Sequence, residues 1–143
     1  MRENCYNLLL LKEAIFKRKI NLVGMTATIC VYIINKTCLI PYTHGQLNYF
    51  CRCYLNDLVC PLLFLGYCQI LLIWIDHEIK SWWKCMLLIM VAGYIWEYGA
   101  PFINAKAVSD DWDLVCYFVG GMVYFLFMKY EQNRENEMNG KAA

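Results

Sequence analysis

The stretch WEYGAPFINAKAVSDDWDLVCYFVGG, from Trp96 to Gly121, decides the fold. It ends one apolar segment with a glutamate, crosses a short polar loop, and opens the next apolar segment with a group of aspartates. The loop is short enough to keep these acids near one another. Because charged side chains are costly in an apolar chain, acids in such positions need a structural or a functional explanation.

The composition of the whole chain is that of a membrane protein. Its 143 residues are 60% hydrophobic and 16% aromatic, whereas soluble domains are about 45–50% apolar. Thirteen basic and twelve acidic residues give a formal charge of +1, so no overall charge favours a nucleic acid or an acidic partner. We therefore expect an all-α integral membrane protein whose main partner is the lipid bilayer, with no nucleic-acid partner.

Four apolar segments approach the length of about 20 residues that a spanning helix needs. They predict transmembrane helices at 20–40, 54–75, 82–98 and 113–128. The connections are predicted as a polar, turn-rich loop at 41–53, a charged turn at 76–81 and an outer loop at 99–112. The domains are then a short amphipathic interfacial helix (1–19), a four-helix transmembrane domain (20–128) and a solvated tail (129–143).

The distribution of lysine and arginine predicts the orientation of the four spans. Ten of these residues lie on the side of the two termini, and three lie on the other side: Lys36, Arg52 and Lys106. Positively charged loops stay in the cytoplasm, so both termini are predicted to be cytoplasmic (N-in/C-in).

The cysteines do not indicate a disulfide framework. There are nine, an odd number with no CxxC pair, which also argues against a zinc cage. Most lie in apolar runs, where a thiol behaves as a small hydrophobic group. Cys38, Cys51 and Cys53 lie around the first outer loop. Two alternatives remain for them: either two of the three form one disulfide bridge, or all three are free thiols.

Three acids are predicted to lie at a similar depth on the outer side of the membrane. Asp57 begins the second helix, Glu97 ends the third and Asp113 begins the fourth. The helix dipole favours an anion at Asp57 and Asp113, because each lies at the start of a helix. It disfavours an anion at Glu97, because this residue lies at the end of a helix. Pro61 lies past the first turn of the second helix, where it is expected to kink the helix beside Asp57.

The last helix carries a stripe of polar and small residues at helical spacing: Asp113, Tyr117, Gly120 and Tyr124. Gly120 and Gly121 would let another helix approach closely. Two interpretations stay open. In the first, the acids form a hydrogen-bonded cluster that packs the helices together. In the second, they line a pocket for a ligand or for a hard cation such as Mg²⁺. The candidate metal ligands are then Asp57, Glu97 and Asp113.

Three motifs are similar to those of a known family. They are Asn56-Asp57-Leu58-Val59-Cys60-Pro61, Trp96-Glu97 with Pro101, and Ser109-Asp110-Asp111-Trp112-Asp113 with Tyr117 and Gly120. Residues 50–125 thereby resemble small bacterial four-span proteins described as "magnesium citrate secondary transporter". Asn56 stands where that family has an acid, and the Asp111-Trp112-Asp113 segment lacks the family's proline. More distantly, a glutamate in one helix and an aspartate opening the last helix look like the VanZ-like family, linked to glycopeptide resistance.

The resemblance implies a multi-pass protein of the bacterial inner membrane. It adds Asn56, Asp111 and Tyr117 to the candidate ligand-binding residues. It also implies transport, for which a homo-oligomer would supply a pathway that one small chain lacks.

Three functions are carried forward from the sequence. The first is an outward-facing acidic pocket for a cation or a metal-chelated polar solute, with Mg²⁺ as the candidate metal. The second is a membrane interaction or defence-type subunit whose acids specify helix packing and assembly. The third is a VanZ-like intramembrane enzyme that acts on a lipid-linked substrate with Glu97 as its base. Because no HExxH or GxSxG motif is present, we assign no catalytic residue and favour a non-enzymatic role.

Overall fold

A computed structural model describes residues 19–75, 77–103 and 110–142, and these residues form helices and short connections without a strand. The elements are α1 (Lys19–Ile34), a π-helical segment (Asn35–Leu39), α2 (Ile40–Tyr42), α3 (Gly45–Cys53), α4 (Leu55–Trp74), α5 (Trp82–Ile103) and α6 (Asp111–Ala142). The all-α prediction is confirmed. The predicted interfacial helix at 1–19 lies outside the described residues, apart from Lys19.

The loop predicted at 41–53 is wrong over most of its length. Only Thr43 and His44 are non-helical, because Pro41 and Tyr42 belong to α2 and α3 occupies Gly45–Cys53. The side-chain amide of Asn48 donates to the backbone oxygens of Ile40 at 2.6 Å and Thr43 at 3.0 Å, which ties α3 to the end of α2. Hydrogen bonds from a polar side chain to the backbone hold this helix in place. A pattern of apolar residues in the sequence does not reveal such bonds.

The last two helices run further than predicted, and α6 also begins at Asp111 rather than at Asp113. Helix α4 matches the second predicted span, and α5 begins at Trp82 but continues to Ile103. Helix α6 begins at Asp111 and continues to Ala142, so the charged tail is helical. The outer connection is therefore shorter than the predicted loop at 99–112.

Three stretches of the described chain are long and apolar enough to cross a membrane: Asn21–Tyr42, Gly45–Trp74 and Asp111–Arg134. The protein is thus a multi-pass membrane protein in its broad architecture. Helix α5 packs against α6 and also contacts α4, while α4 lies between α1 and α6.

Helix α1 and the π-helical segment that follows it have three polar residues on their buried face and apolar residues on their exposed face. Asn21, Thr28 and Asn35 recur at intervals of seven residues and are 0%, 7% and 0% exposed, whereas Val23 and Ile29 are 62% and 50% exposed. A helix on the surface of a water-soluble protein has the opposite pattern. The outward apolar face is suited to lipid, and the inward polar face provides hydrogen bonds within the bundle.

The tryptophans mark both ends of the bundle. All five are exposed. Trp74, Trp82 and Trp83 lie where α4 ends and α5 begins, while Trp96 and Trp112 lie towards the end of α5 and the start of α6. Tryptophan is enriched at the two interfaces of a bilayer, so this placement agrees with helices that cross from one interface to the other.

Helices α4 and α6 approach closely at a glycine. A Cβ atom on Gly120 would overlap the backbone oxygen of Leu58 and lie 2.8 Å from Cγ of Pro61. Gly121 faces α5 instead, where the added carbon would lie 3.0 Å from Ile89. The prediction that this glycine pair permits close helix packing is confirmed, and Pro61 lies inside α4 as expected.

Candidate functional site

Tyr117 joins two of the predicted acids across three helices. Its hydroxyl lies 3.0 Å from Oδ1 of Asp57 in α4 and 3.1 Å from Oε1 of Glu97 in α5. Tyr117 is 5% exposed and Glu97 is 7% exposed. Asp57 and Glu97, predicted to lie at a similar depth, thus meet at one hydroxyl group, and we call these three residues the bridged-acid cluster.

Two glycines place the phenol between the acids. A Cβ atom on Gly93 would lie 2.5 Å from Cδ2 of Tyr117, so only glycine leaves room for this ring against α5. Glu97 follows Gly93 by one helical turn, which puts its carboxyl group beyond the ring, at the hydroxyl. Gly120 lies about one turn past Tyr117 and brings α6 close to α4, where Asp57 opens the helix.

The hydrogen-bond chemistry of the cluster limits its proton content. A phenol has one hydrogen to donate and can also accept. Both carboxyl groups lie within hydrogen-bond distance of the same hydroxyl oxygen. Both bonds form at full strength only when Tyr117 donates to one carboxyl group and the other carboxyl group, carrying a proton, donates to Tyr117, so the cluster needs at least one proton besides that of the phenol.

Asp113 lies one turn before Tyr117 but does not join the bridge. Its Oδ1 atom is buried and has no hydrogen-bond partner within the described chain. The cap of α6 comes from Asp110, whose side chain accepts from the backbone N–H of Trp112 at 3.0 Å and from the hydroxyl of Tyr54 at 3.1 Å. The sequence interpretation assigned no role to Asp110, although Ser/Asp at a helix start is the usual capping signal.

Asn56 and Asp111, two of the three residues added by the family resemblance, occupy different places. Oδ1 of Asn56 accepts from the amide of Asn35 at 3.1 Å, and the same amide donates to the backbone oxygen of Cys51 at 2.7 Å. Asn56 therefore stands beside the cluster, next in sequence to one of its acids. Asp111 is exposed and accepts from the hydroxyl of Tyr98 at 3.2 Å, so it is not part of the cluster.

An open groove of about 590 Å³ lies between α1, α4 and α5 and reaches the cluster. Most of its lining is apolar, and its polar lining residues include Thr28, Asn56, Asp57 and Tyr117. The hydroxyl of Thr28 is already used, because it donates to Gly24 O at 2.9 Å and lies 3.2 Å from Val59 O. The groove has the size and character of a site for a small amphipathic molecule.

The cluster has no counter-charge from the described chain. Among residues 19–75, 77–103 and 110–142, no lysine, arginine or histidine forms a salt bridge with Asp57, Glu97 or Asp113. The same residues contain no group of three or more His, Cys, Asp or Glu side chains arranged to hold a metal ion. The predicted meeting of all three acids around one cation is therefore not what the geometry provides.

The eight cysteines within the described ranges are free thiols. The bridge left open among Cys38, Cys51 and Cys53 is not formed. Cys38 is exposed on the π-helical segment, whereas Cys51 is buried and its backbone oxygen accepts from the amide of Asn35.

Comparisons with protein-family models, with curated proteins and with solved structures gave no match to this chain. The two family resemblances stay predictions. The chemistry of the site is therefore derived from its own residues.

The sequence interpretation missed the buried polar face that α1 and the following π-helical segment share. Asn35 joins the network of Asn56, and Oδ1 of Asn21 accepts from the hydroxyl of Tyr124 at 2.7 Å. The signal was the seven-residue spacing of Asn21, Thr28 and Asn35, which places all three on one face.

Proposed function

We propose that this chain is a four-span membrane protein that binds an organic cation with an apolar body at the bridged-acid cluster. The observation that carries the proposal is the cluster itself. Two carboxyl groups share one phenol, they have no basic partner in the described chain, and Asp57 and Tyr117 of the cluster line an otherwise mainly apolar groove.

The charge of the cluster selects the sign of the ligand. An ionised carboxylate held by a membrane-embedded bundle is stabilised by an opposite charge, which the described residues do not supply. Tyr32 and Trp96 also line the groove, and aromatic faces attract cations. A cationic solute therefore suits the site better than a neutral or an anionic one.

The lining of the groove favours an organic cation over magnesium. Mg²⁺ keeps several water molecules and takes oxygen ligands in octahedral geometry. The groove offers few oxygen atoms and a mainly apolar wall. An organic cation can place its charge at Asp57 and bury its apolar body along α1 and α4.

The orientation of the bundle is part of the proposal. We count α5 as a span in addition to the three apolar stretches, which makes four in total, because α5 has 22 residues and packs beside α6. The hydrogen bonds Tyr54–Asp110 and Tyr98–Asp111 join the start of α4, the end of α5 and the start of α6 at one end. With both termini in the cytoplasm, that end and the cluster lie on the outer side of a bacterial inner membrane. Transport would follow if an oligomer opened the groove to the other side.

A second function is favoured by one observation. The hydroxyl of Tyr117 connects α4, α5 and α6, so the same three residues suit a role in packing the helices of an interaction subunit. In that case the acids bind no ligand, and their removal lowers only the stability of the bundle.

A binding titration in lipid nanodiscs separates the two functions. Tetraphenylphosphonium is the organic cation and Mg²⁺ the comparison, with thermal unfolding followed on the same samples. The double variant Asp57→Asn/Glu97→Gln keeps the shapes of both side chains and removes their charge. The matched control is Asp111→Asn, which neutralises an exposed acid outside the cluster.

We expect the wild type and the control to bind tetraphenylphosphonium saturably, and the double variant to bind at least tenfold more weakly while still folded. Equal affinity in all three proteins would refute the site. A double variant that is unfolded, together with a wild type that binds nothing, would support the packing role.

A further inference from the structure

The number of hydrogens at the cluster is the starting observation. One hydroxyl hydrogen lies between two carboxyl groups, at oxygen distances of 3.0 and 3.1 Å. Two ionised carboxylates would compete for that hydrogen and repel each other, at a site where Tyr117 and Glu97 are buried. One added proton removes both problems, because the protonated carboxyl group donates to the phenol and the phenol donates to the remaining carboxylate.

We propose that the site exchanges protons for cations, so that each monovalent cation that binds releases the one proton shared by Asp57 and Glu97. This inference rests on the proposed function, since it concerns the same site. It adds the coupling that would let a proton gradient drive the movement of the cation.

The exchange balances in atoms and charge. Before binding, the cluster holds one carboxylic acid and one carboxylate, with a net charge of −1. The O–H bond of the acid then breaks and its proton passes to water, while the cation binds in the groove beside Asp57, which leaves two carboxylates in the cluster. The net charge of the occupied site is again −1, so no additional charge is buried and the electrostatic cost of exchange stays small.

Several other titratable groups face this site from the helices packed around it. They are Tyr32 of α1, Cys60 of α4, and Asp113 and Cys116 of α6. Asp113 is the main competitor as the source of the proton, because it is an acid with an unpartnered buried oxygen. The test must therefore separate Glu97 from Asp113.

Proton release during the titration tests the exchange. Tetraphenylphosphonium is added to the wild-type protein in weakly buffered nanodiscs, and released protons are counted with a soluble pH indicator. Glu97→Gln cannot hold the exchangeable proton, but its amide can still donate to Tyr117, so the geometry of the bridge is kept. Asp113→Asn is the matched variant for the competing acid.

We expect about one proton per bound cation from the wild type and from Asp113→Asn, and none from Glu97→Gln. The apparent Kd of the wild type should fall about tenfold for each unit of rising pH while the proton is being displaced, and that of Glu97→Gln should stay flat.

Three outcomes would overturn the inference. Binding by the wild type without proton release leaves the proposed cation site intact but removes the exchange. Release that persists in Glu97→Gln and disappears in Asp113→Asn assigns the proton to the wrong acid. A wild type that binds no cation removes the site and the exchange together.

Discussion

Replacing Gly120 with alanine should separate α4 from α6. The new methyl group would overlap the backbone oxygen of Leu58 and lie 2.8 and 3.1 Å from two carbons of the Pro61 ring. Neither neighbour is the free end of a flexible side chain, so the helices themselves must shift.

The expected loss of stability follows from two opposing effects. Overfilling a packed contact costs about 1–3 kcal/mol, and the rigid neighbours place Gly120→Ala towards the upper end. Alanine favours a helix over glycine by about 1 kcal/mol. We therefore expect the free energy of unfolding to fall by about 1–2 kcal/mol.

Equilibrium unfolding in mixed detergent micelles, followed by circular dichroism, measures this change. Gly24→Ala is the matched control, because its added carbon would be 3.9 Å from the nearest atom, Cβ of Leu62. It should be as stable as the wild type or up to about 1 kcal/mol more stable. If Gly120→Ala unfolds like Gly24→Ala, the described contact between α4 and α6 is wrong.

Three further predictions use the same preparations. Tyr124→Phe removes the donor that reaches Asn21 at 2.7 Å and should lower the free energy of unfolding by about 1–3 kcal/mol, because a buried amide oxygen loses this partner. Gly93→Ala should displace the bridging phenol and weaken tetraphenylphosphonium binding at least tenfold; unchanged affinity would contradict the placement of the ring. In single-cysteine variants, bound cation should protect Cys60, which lines the groove, from a maleimide, whereas the exposed Cys30 outside it should react at an unchanged rate.

The sequence was sufficient for the class of fold and for part of the site. Apolar runs of spanning length predict membrane helices because the bilayer sets that length. Asp57 and Glu97 could be placed together because one opens a helix and the other lies near the end of its antiparallel neighbour. The same reasoning placed Asp113 at the correct end, but it could not give the side-chain geometry that leaves this acid outside the bridge.

Other features were hidden for physical reasons. Average hydropathy treats 20–40 as one apolar run, although Asn21, Thr28 and Asn35 form its buried face. The π-helical segment at Asn35–Leu39 changes the hydrogen bonding of the backbone without changing composition. Helix α3 was read as a loop because Gly45 and Asn48 are turn formers in isolation, and its attachment to the preceding turn is a tertiary effect.

Helix α6 has a mechanical consequence that follows from its length. Its 32 residues run without interruption from Asp111 to Ala142, which is about 48 Å at 1.5 Å per residue. The hydrocarbon core of a bilayer is only about 30 Å thick, so the distal third of the helix projects from it as a stiff lever arm. A tilt of about 5° around Tyr117, near one end, would sweep the opposite tip through about 3–4 Å. Occupation of the groove could thus be sensed in the aqueous phase by a displacement of the charged residues near Arg134.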